Sequence, residues 1–323
     1  MRNWIGAIAG LALAAQAGGV SAQSLTTLAA TPDRPFLIES VARDASGALI
    51  ISSVHKGALF KVAADGTLSP YGPAGEQAMF VLVADPARQS LWVASSPSPN
   101  DDQTDRPGEL LQLDLMTGAV KARYSAAGPD HAFGDVALGP DGAVFVGDSK
   151  TQQIMVLKPG STVLEPLVKL TDRGSPQGMV VSPDGRWLVF ADYRSGLHRI
   201  DISDGRYTLV TLTPETLAPL AGPEGIELRG IDGLVRDGDR IIAIQNGTAT
   251  PRVLQLTLAP DWSAVTHGRA LVEGAPLNDP TTGFLDGRDL IFVSRSQWPE
   301  FTREGRPSSE TPPGAVVSRL TLP

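Results

Sequence analysis

The chain has 323 residues, a formal net charge of −8 and no cysteine. An acidic protein gains nothing electrostatically from meeting nucleic acid or an anionic membrane, so neither is expected as a partner. Without cysteine, stability must come from packing rather than from disulfides.

Residues 1–22 read as a cleaved secretory signal. Arg2 and the terminal amine form a short positive region, Ile5 to Ala15 an apolar one, and Val20-Ser21-Ala22 a small-residue cleavage site. The apolar run is too short for a confident membrane span. The mature chain, 23–323, is expected to form one domain in the periplasm or outside the cell, with no membrane attachment after cleavage.

Leu25 to Ala29 reads as a short strand. A pattern of apolar strand, tight turn and apolar strand then recurs six times, at Val41–Val54, Leu82–Ser95, Val136–Ser149, Met179–Tyr193, Leu234–Asn246 and Thr281–Ser294. Asp141-Gly142, Asp184-Gly185, Asp237-Gly238 and Asp286-Gly287 mark the turns, with Ser46-Gly47 in the first copy. Asp-Gly suits the positive backbone angles of a two-residue hairpin. A spacing of roughly 40 to 55 residues is that of propeller blades.

Third strands follow at Gly57–Val62, Glu109–Leu115, Gln153–Leu157, Leu197–Ile202, Arg252–Leu258 and Ala315–Leu322. Fourth strands are expected at Val120–Tyr124, Tyr207–Thr211 and Ala270–Val272. The best helix candidate, Thr213 to Leu220, lies between blades. The fold class is all-β, a six-bladed β-propeller. Its last blade has no fourth strand after it, so the N-terminal strand is expected to close the ring there.

Hairpin geometry places all the Asp-Gly turns at one end of the axis. Aligning the repeats puts Glu39, Phe80, Gly134, Gln177, Asp232 and Asp279 around the other mouth, since the innermost strands line the axis. Second-strand ends add a collar of His55, Ser95, Ser149, Tyr193, Asn246, Gln297 and Trp298. Two long segments, Ser95 to Gly108 with Asp101, Asp102 and Asp105, and Trp298 to Gly314, leave from the same end. They are candidate lids, or plain surface loops.

Three axial carboxylates and an amide oxygen in one narrow channel repel one another. They must retain a proton, hold a cation, or be neutralised by an arginine such as Arg194, Arg229 or Arg295 turned inward. Oxygen-only ligation suits a hard cation. His55 is a candidate for proton transfer or substrate contact, or else an exposed turn histidine. Trp298 is a candidate for stacking on a sugar ring, or a rim aromatic.

The phrases SPQGMVVSPDGRWLVFADY (175–193) and GIDGLVRDGDRIIAIQNG (230–247) resemble the gluconolactonase/regucalcin (senescence marker protein) family of six-bladed propellers. The likeness extends over nearly all of the mature chain and is carried by the blade repeat. It implies a single divalent cation on the axis, calcium first, with magnesium, manganese or zinc as alternatives. Glu39 matches the family's glutamate opening the first blade. Asp232, in Ile231-Asp232-Gly233, matches the aspartate that both ligates the metal and serves as base in lactone hydrolysis.

Gln177 stands where the family has asparagine, moving its amide oxygen outward by roughly 1.5 Å. Gly134 replaces another asparagine and is followed by Asp135. Asp279 is placed to supply a replacement oxygen. The resemblance thus implies metal ligands Glu39 and Asp232 with Gln177 in the asparagine's place, Asp279 from the axial ring completing the set, and Asp232 as the catalytic base, which His55, by its place at the collar, is the candidate to assist. Asp135, Asn246, Gln297 and Trp298 are then the substrate contacts.

No Gly-x-Ser-x-Gly elbow, His-Glu-x-x-His, Cys-x-x-Cys or phosphate-binding glycine loop occurs. The expected function is an exported, metal-dependent hydrolase of a small-molecule lactone, such as a sugar lactone, or a related ester. The alternatives are a propeller that binds a ligand or protein partner without catalysis, and a lyase or epimerase on the same ring.

Overall fold

The computed structural model describes residues 25–73, 77–97, 106–128, 130–171, 174–213 and 219–323. The signal-like segment, the Asp101–Asp105 loop and most of the helix candidate at Thr213 to Leu220 lie outside the described residues.

Six sheets form the blades. Their inner strands are Val41–Arg43, Ala78–Asp85, Phe133–Leu138, Pro176–Val181, Ile231–Asp237 and Gly283–Asp286. Each pairs antiparallel with the second strand of its own hairpin. Second strands such as Leu49–Ser53, Ser90–Ser96 and Val144–Asp148 are buried along their whole length. Their unbroken Val, Ile, Leu and Phe content follows from having a neighbouring blade on both faces.

The ring closes as the sequence suggests. Thr26–Ala30 pairs antiparallel with Val316–Thr321, Thr26 opposite Arg319, and becomes the outer strand of the sixth blade. Leu28 and Ala29 pack with Phe36, Ile38, Ile291 and Val317, so the closure joins first and last blades through the core.

Outer strands absent from the sequence reading occur at Leu68–Tyr71 and Leu164–Leu170. The fourth blade differs more. Its expected outer strand forms as Val210–Leu212, but pairs parallel with Leu164–Leu170 of the third blade, leaving the fourth with three strands. Tyr207 explains the path. Its ring packs on Phe145 of the third blade, and its hydroxyl donates to Asp141 there at 2.5 Å.

Two glycines set how closely the inner strands approach. A Cβ on Gly178 would stand 2.8 Å from the Gly233 carbonyl carbon, and one on Gly233 would stand 2.5 Å from the Thr281 oxygen. The Gln177-Gly178 and Asp232-Gly233 pairs therefore combine a pocket-facing side chain with the bare backbone that close packing requires.

Candidate functional site

The six axial residues meet. Glu39, Phe80, Gly134, Gln177, Asp232 and Asp279 all line one cavity of about 290 Å³, with Asp135, Ser149, Tyr193, Asn246 and Trp298 on the same wall. Local backbone irregularity aims them. Strand register shifts between Met79 and Leu82, Phe133 and Val136, Pro176 and Met179, and Ile231 and Gly233. A bulge re-aims the side chains beside it, and here it recurs at the axial position of four blades. In the sixth blade Asp279 instead adopts a left-handed backbone, φ 53°.

The pocket holds four carboxylates, those of Glu39, Asp135, Asp232 and Asp279, and among the described residues no Lys or Arg lines it. Arg229 is committed to Glu227 on the surface at 2.5 Å. Arg194, Arg229 and Arg295, the inward arginines considered from sequence, are all absent from the cavity lining.

All four carboxyls are instead shifted upward. Burial, and then the charge of Asp232, raise the Glu39 carboxyl well above the ordinary range, against the opposing hydrogen bond from Trp298. Asp135 is pushed to about 8 by burial and then by Asp232. Asp232 is pushed to about 7 by burial and then by Asp279, with the Asn246 amide pulling the other way. Burial raises Asp279 as well. A set of carboxyls that keep protons near neutral pH is a set short of positive charge.

Hydrogen bonds fix individual oxygens. Trp298 Nε1 donates to Glu39 Oε2 at 2.6 Å. Asn246 Nδ2 donates to Asp232 Oδ2 at 2.9 Å and to the Pro280 carbonyl at 3.1 Å, while Tyr193 Oη donates to Asn246 Oδ1 at 2.8 Å. Asp135 Oδ1 accepts the Val136 amide at 2.7 Å. Gln177 Nε2 donates to Ser175 Oγ at 3.1 Å, which leaves its amide oxygen for the pocket.

Two of the expected residues stand apart. Gln297 is fully buried and does not line the cavity. Its Oε1 accepts from the Phe36 and Leu37 amides at 3.0 and 2.8 Å, and its Nε2 donates to the Arg34 and Pro313 carbonyls. This amide is consumed in tying the N-terminal segment to the loop after the last hairpin. His55 is also off the cavity, packed edge-on against Phe301 at 5.3 Å. Trp298 lines the pocket, but as a donor to Glu39. The segment after it is pinned rather than free, through Ser308 to Glu300, Phe301 to Pro307 and Gly314 to Asp33.

The site fits a hard cation in donor chemistry, since every available donor is oxygen and the charge is unbalanced. Among the described residues no three acidic or histidine side chains already converge as a metal centre, so binding would draw them inward. A larger cavity, about 740 Å³, opens at the Asp-Gly-turn end. Arg43 pairs there with Asp286, Asp44 is held by Lys61, and Asp114 accepts the Met116 and Thr117 amides, so size does not make it the chemical site.

No family model matches the sequence. No curated protein matches it. Solved structures do. A gluconolactonase from Xanthomonas campestris aligns with a TM-score of 0.60 at 15% identity, over 95% of this chain and 93% of that one. A calcium-binding protein, regucalcin from Agrobacterium tumefaciens, gives 0.58 at 17%, over 93% and 94%. The structural neighbours include gluconolactonase- and regucalcin-like six-bladed propellers. An aldose sugar dehydrogenase from Streptomyces coelicolor, solved with PQQ bound, gives 0.59 at 15%, over 92% and 98%. Likeness at these identities carries the fold, and the fold is shared by unrelated chemistries.

Proposed function

We propose that this protein is an exported hydrolase of a small lactone or related ester, acting at the axial pocket with a divalent cation. The observation that carries the reading is the set of four carboxylates around one small cavity that no basic side chain lines among the described residues. Glu39, Asp232, Asp279 and the Gln177 amide oxygen would hold the cation, calcium by preference. Once bound, it would supply Lewis-acid polarisation of the ester carbonyl.

Asp232 is the base. Burial and the Asp279 charge raise its carboxyl to about 7 in the cation-free pocket, and beside a cation it would be the carboxylate placed to take a proton from water and return it to a leaving alkoxide. Asn246, itself oriented by Tyr193, occupies Asp232 Oδ2 and so directs the other oxygen for that transfer. Trp298 does the same for Glu39. Hydrolysis adds water across the acyl carbon–oxygen bond: hydroxide forms the new bond, and the ring oxygen leaves with the proton Asp232 accepted. His55 and Gln297 take no part.

Metal analysis of the purified mature protein, melting with calcium or magnesium, and a panel of aldonolactones and acyl lactones test the reading. A cation bound only by the folded state raises the Tm by mass action. Cation-dependent turnover, lost in Asp232→Asn, is the expected result. Turnover nowhere in the panel moves the assignment to a ligand-binding propeller.

A further inference from the structure

The axial residues are aimed in two different ways. Gln177 and Asp232 lie inside inner strands, beside the register shifts described above. Glu39 and Asp279 lie ahead of theirs, which begin at Val41 and Gly283. The first blade's inner strand pairs with its hairpin partner without a shift, so that ladder does not turn Glu39 toward the axis. Its placement must come from elsewhere.

It comes from the neighbouring blade. The hydroxyls of Thr281 and Thr282 both donate to the Glu39 carbonyl, at 2.5 and 3.2 Å. Those threonines follow Asp279 through Pro280, whose carbonyl accepts Asn246 Nδ2 at 3.1 Å. The same amide donates to Asp232 Oδ2. The Thr281 carbonyl in turn backs onto Gly233, where an added Cβ would stand 2.5 Å from its oxygen. Successive residues from Asp279 to Thr282 thus reach all three carboxylate residues assigned to the cation. Thr281 is fully buried, while Thr282 lines the cavity. A threonine side chain, branched at Cβ, has few χ1 states, so its hydroxyl holds a carbonyl within a narrow range of positions.

We propose that Thr281 is a positioning residue: its hydroxyl sets where Glu39 stands relative to Asp279 and Asp232, and so sets the affinity of the axial site for a cation. The inference rests on the reading of this pocket as the cation site. Thr281 touches neither cation nor substrate, and acts across the seam where the first blade meets the last. Calcium takes its oxygens at about 2.3–2.6 Å, so a small displacement of Glu39 is felt in binding. Removing the Thr281 hydroxyl leaves the Glu39 carbonyl with the longer of its two side-chain donors.

The test titrates calcium into the purified mature protein by calorimetry. Thr281→Val should bind calcium about tenfold more weakly, and Thr281→Ser, which restores the hydroxyl, should stay within about twofold of wild type. Ile154→Val, in the core of the third blade, should lower the Tm and leave calcium affinity unchanged, which separates positioning from stability. Thr282→Val removes the longer donor alone and should weaken binding about threefold. It decides the matter if Thr281→Val does not fold. Wild-type calcium affinity in Thr281→Val, or in Thr282→Val where it must stand in, overturns the proposal, as does equal loss in Thr281→Ser and Thr281→Val.

A readout that needs no cation separates this inference from the hydrolase reading. Trp298 Nε1 donates to Glu39 Oε2 at 2.6 Å, so its indole proton reports where that carboxyl stands. In magnetic resonance spectra, with the signal assigned through Trp298→Phe, it should move in metal-free Thr281→Val and return in Thr281→Ser. That pattern, with no calcium bound by the wild type and no lactone hydrolysed, removes the hydrolase reading and leaves Thr281 as the residue that places Glu39. Calcium-dependent turnover with an unmoved indole signal and unchanged affinity in Thr281→Val does the reverse.

Discussion

The two mouths of the axis are built from the two ends of the same inner strands, yet they treat charge in opposite ways. At the turn end, Asp44 receives Lys61 at 2.6 Å together with Ser46 and the Ala48 amide. Asp286 meets Arg43 at 2.8 Å. Between these pairs the wall is apolar, with Leu82, Val83, Ala84, Phe284 and Leu285. At the collar end four carboxylates have no basic partner among the described residues, and their hydrogen bonds come from Trp298, Asn246, Ser296 and the backbone. The larger cavity is electrostatically finished and the smaller one is not. An incomplete charge balance is a better guide to chemistry than volume.

Substitutions at the two mouths should separate function from stability. The largest effect belongs to Asp232→Asn, which should lower turnover by about 10²–10⁴-fold while the Tm holds or rises. Steady-state kinetics beside a melting curve measure both. Wild-type turnover in that variant would mean another residue is the base.

Dependence on pH should differ in sign. Asp135 and Asp232 hold their protons to about 8 and 7 when folded, against ordinary aspartate values when unfolded. The folded state then binds more protons between about pH 4 and 8, so metal-free stability falls as pH rises through that window. Asp44 runs the other way. Burial works to raise its pKa, but Lys61, Ser46 and Ala48 outweigh it, so its contribution is present above the ordinary aspartate range and lost as pH falls through the depressed value. In metal-free protein, Asp135→Asn should raise the Tm at pH 8 and flatten the alkaline decline, by about 1–3 kcal/mol. A chemical-denaturation series from pH 4 to 9 reads this directly, and an unchanged slope would place Asp135 in contact with a cation or solvent.

Leu285→Asp, at the apolar mouth, should cost about 1–3 kcal/mol by setting an unpaired charge against that wall. Turnover per folded molecule should stay at the wild-type level. The smallest effect is that of Tyr193→Phe, which removes the hydroxyl orienting Asn246. A stability change near 1 kcal/mol is expected, with a KM little altered and a lower kcat. A change in KM alone would make Tyr193 a substrate contact instead.

Much of this was legible in the chain. Asp-Gly turns and apolar hairpins give the blade count, and aligning on the turns brings Glu39, Gln177, Asp232 and Asp279 to one mouth. Three things were not. The path of Val210–Leu212 depends on a distant contact of Tyr207 with Asp141 and Phe145, which no local pattern encodes. Gln297 looks like a collar residue by position, but its amide is used by backbone groups roughly 260 residues away in sequence. Asp135 does not show its burial, which arises beside the bulge at Phe133–Val136. Alignment finds which residues share a mouth, and hydrogen bonding decides which remain free to act there.

The closure of the sixth blade also governs when the molecule can exist. Thr26 lies opposite Arg319, so two segments nearly the whole domain apart in sequence must find each other to close the ring. Until Val316–Thr321 emerges, the ring has an open seam, and contacts so distant in sequence form slowly. The earlier blades must wait as a partly assembled arc with unpaired edges, the condition in which β-proteins associate with one another. Removing residues 25–30 would make that waiting state permanent. The truncated chain should elute as higher-order species, and a synthetic peptide of the same residues added during refolding should restore the monomer.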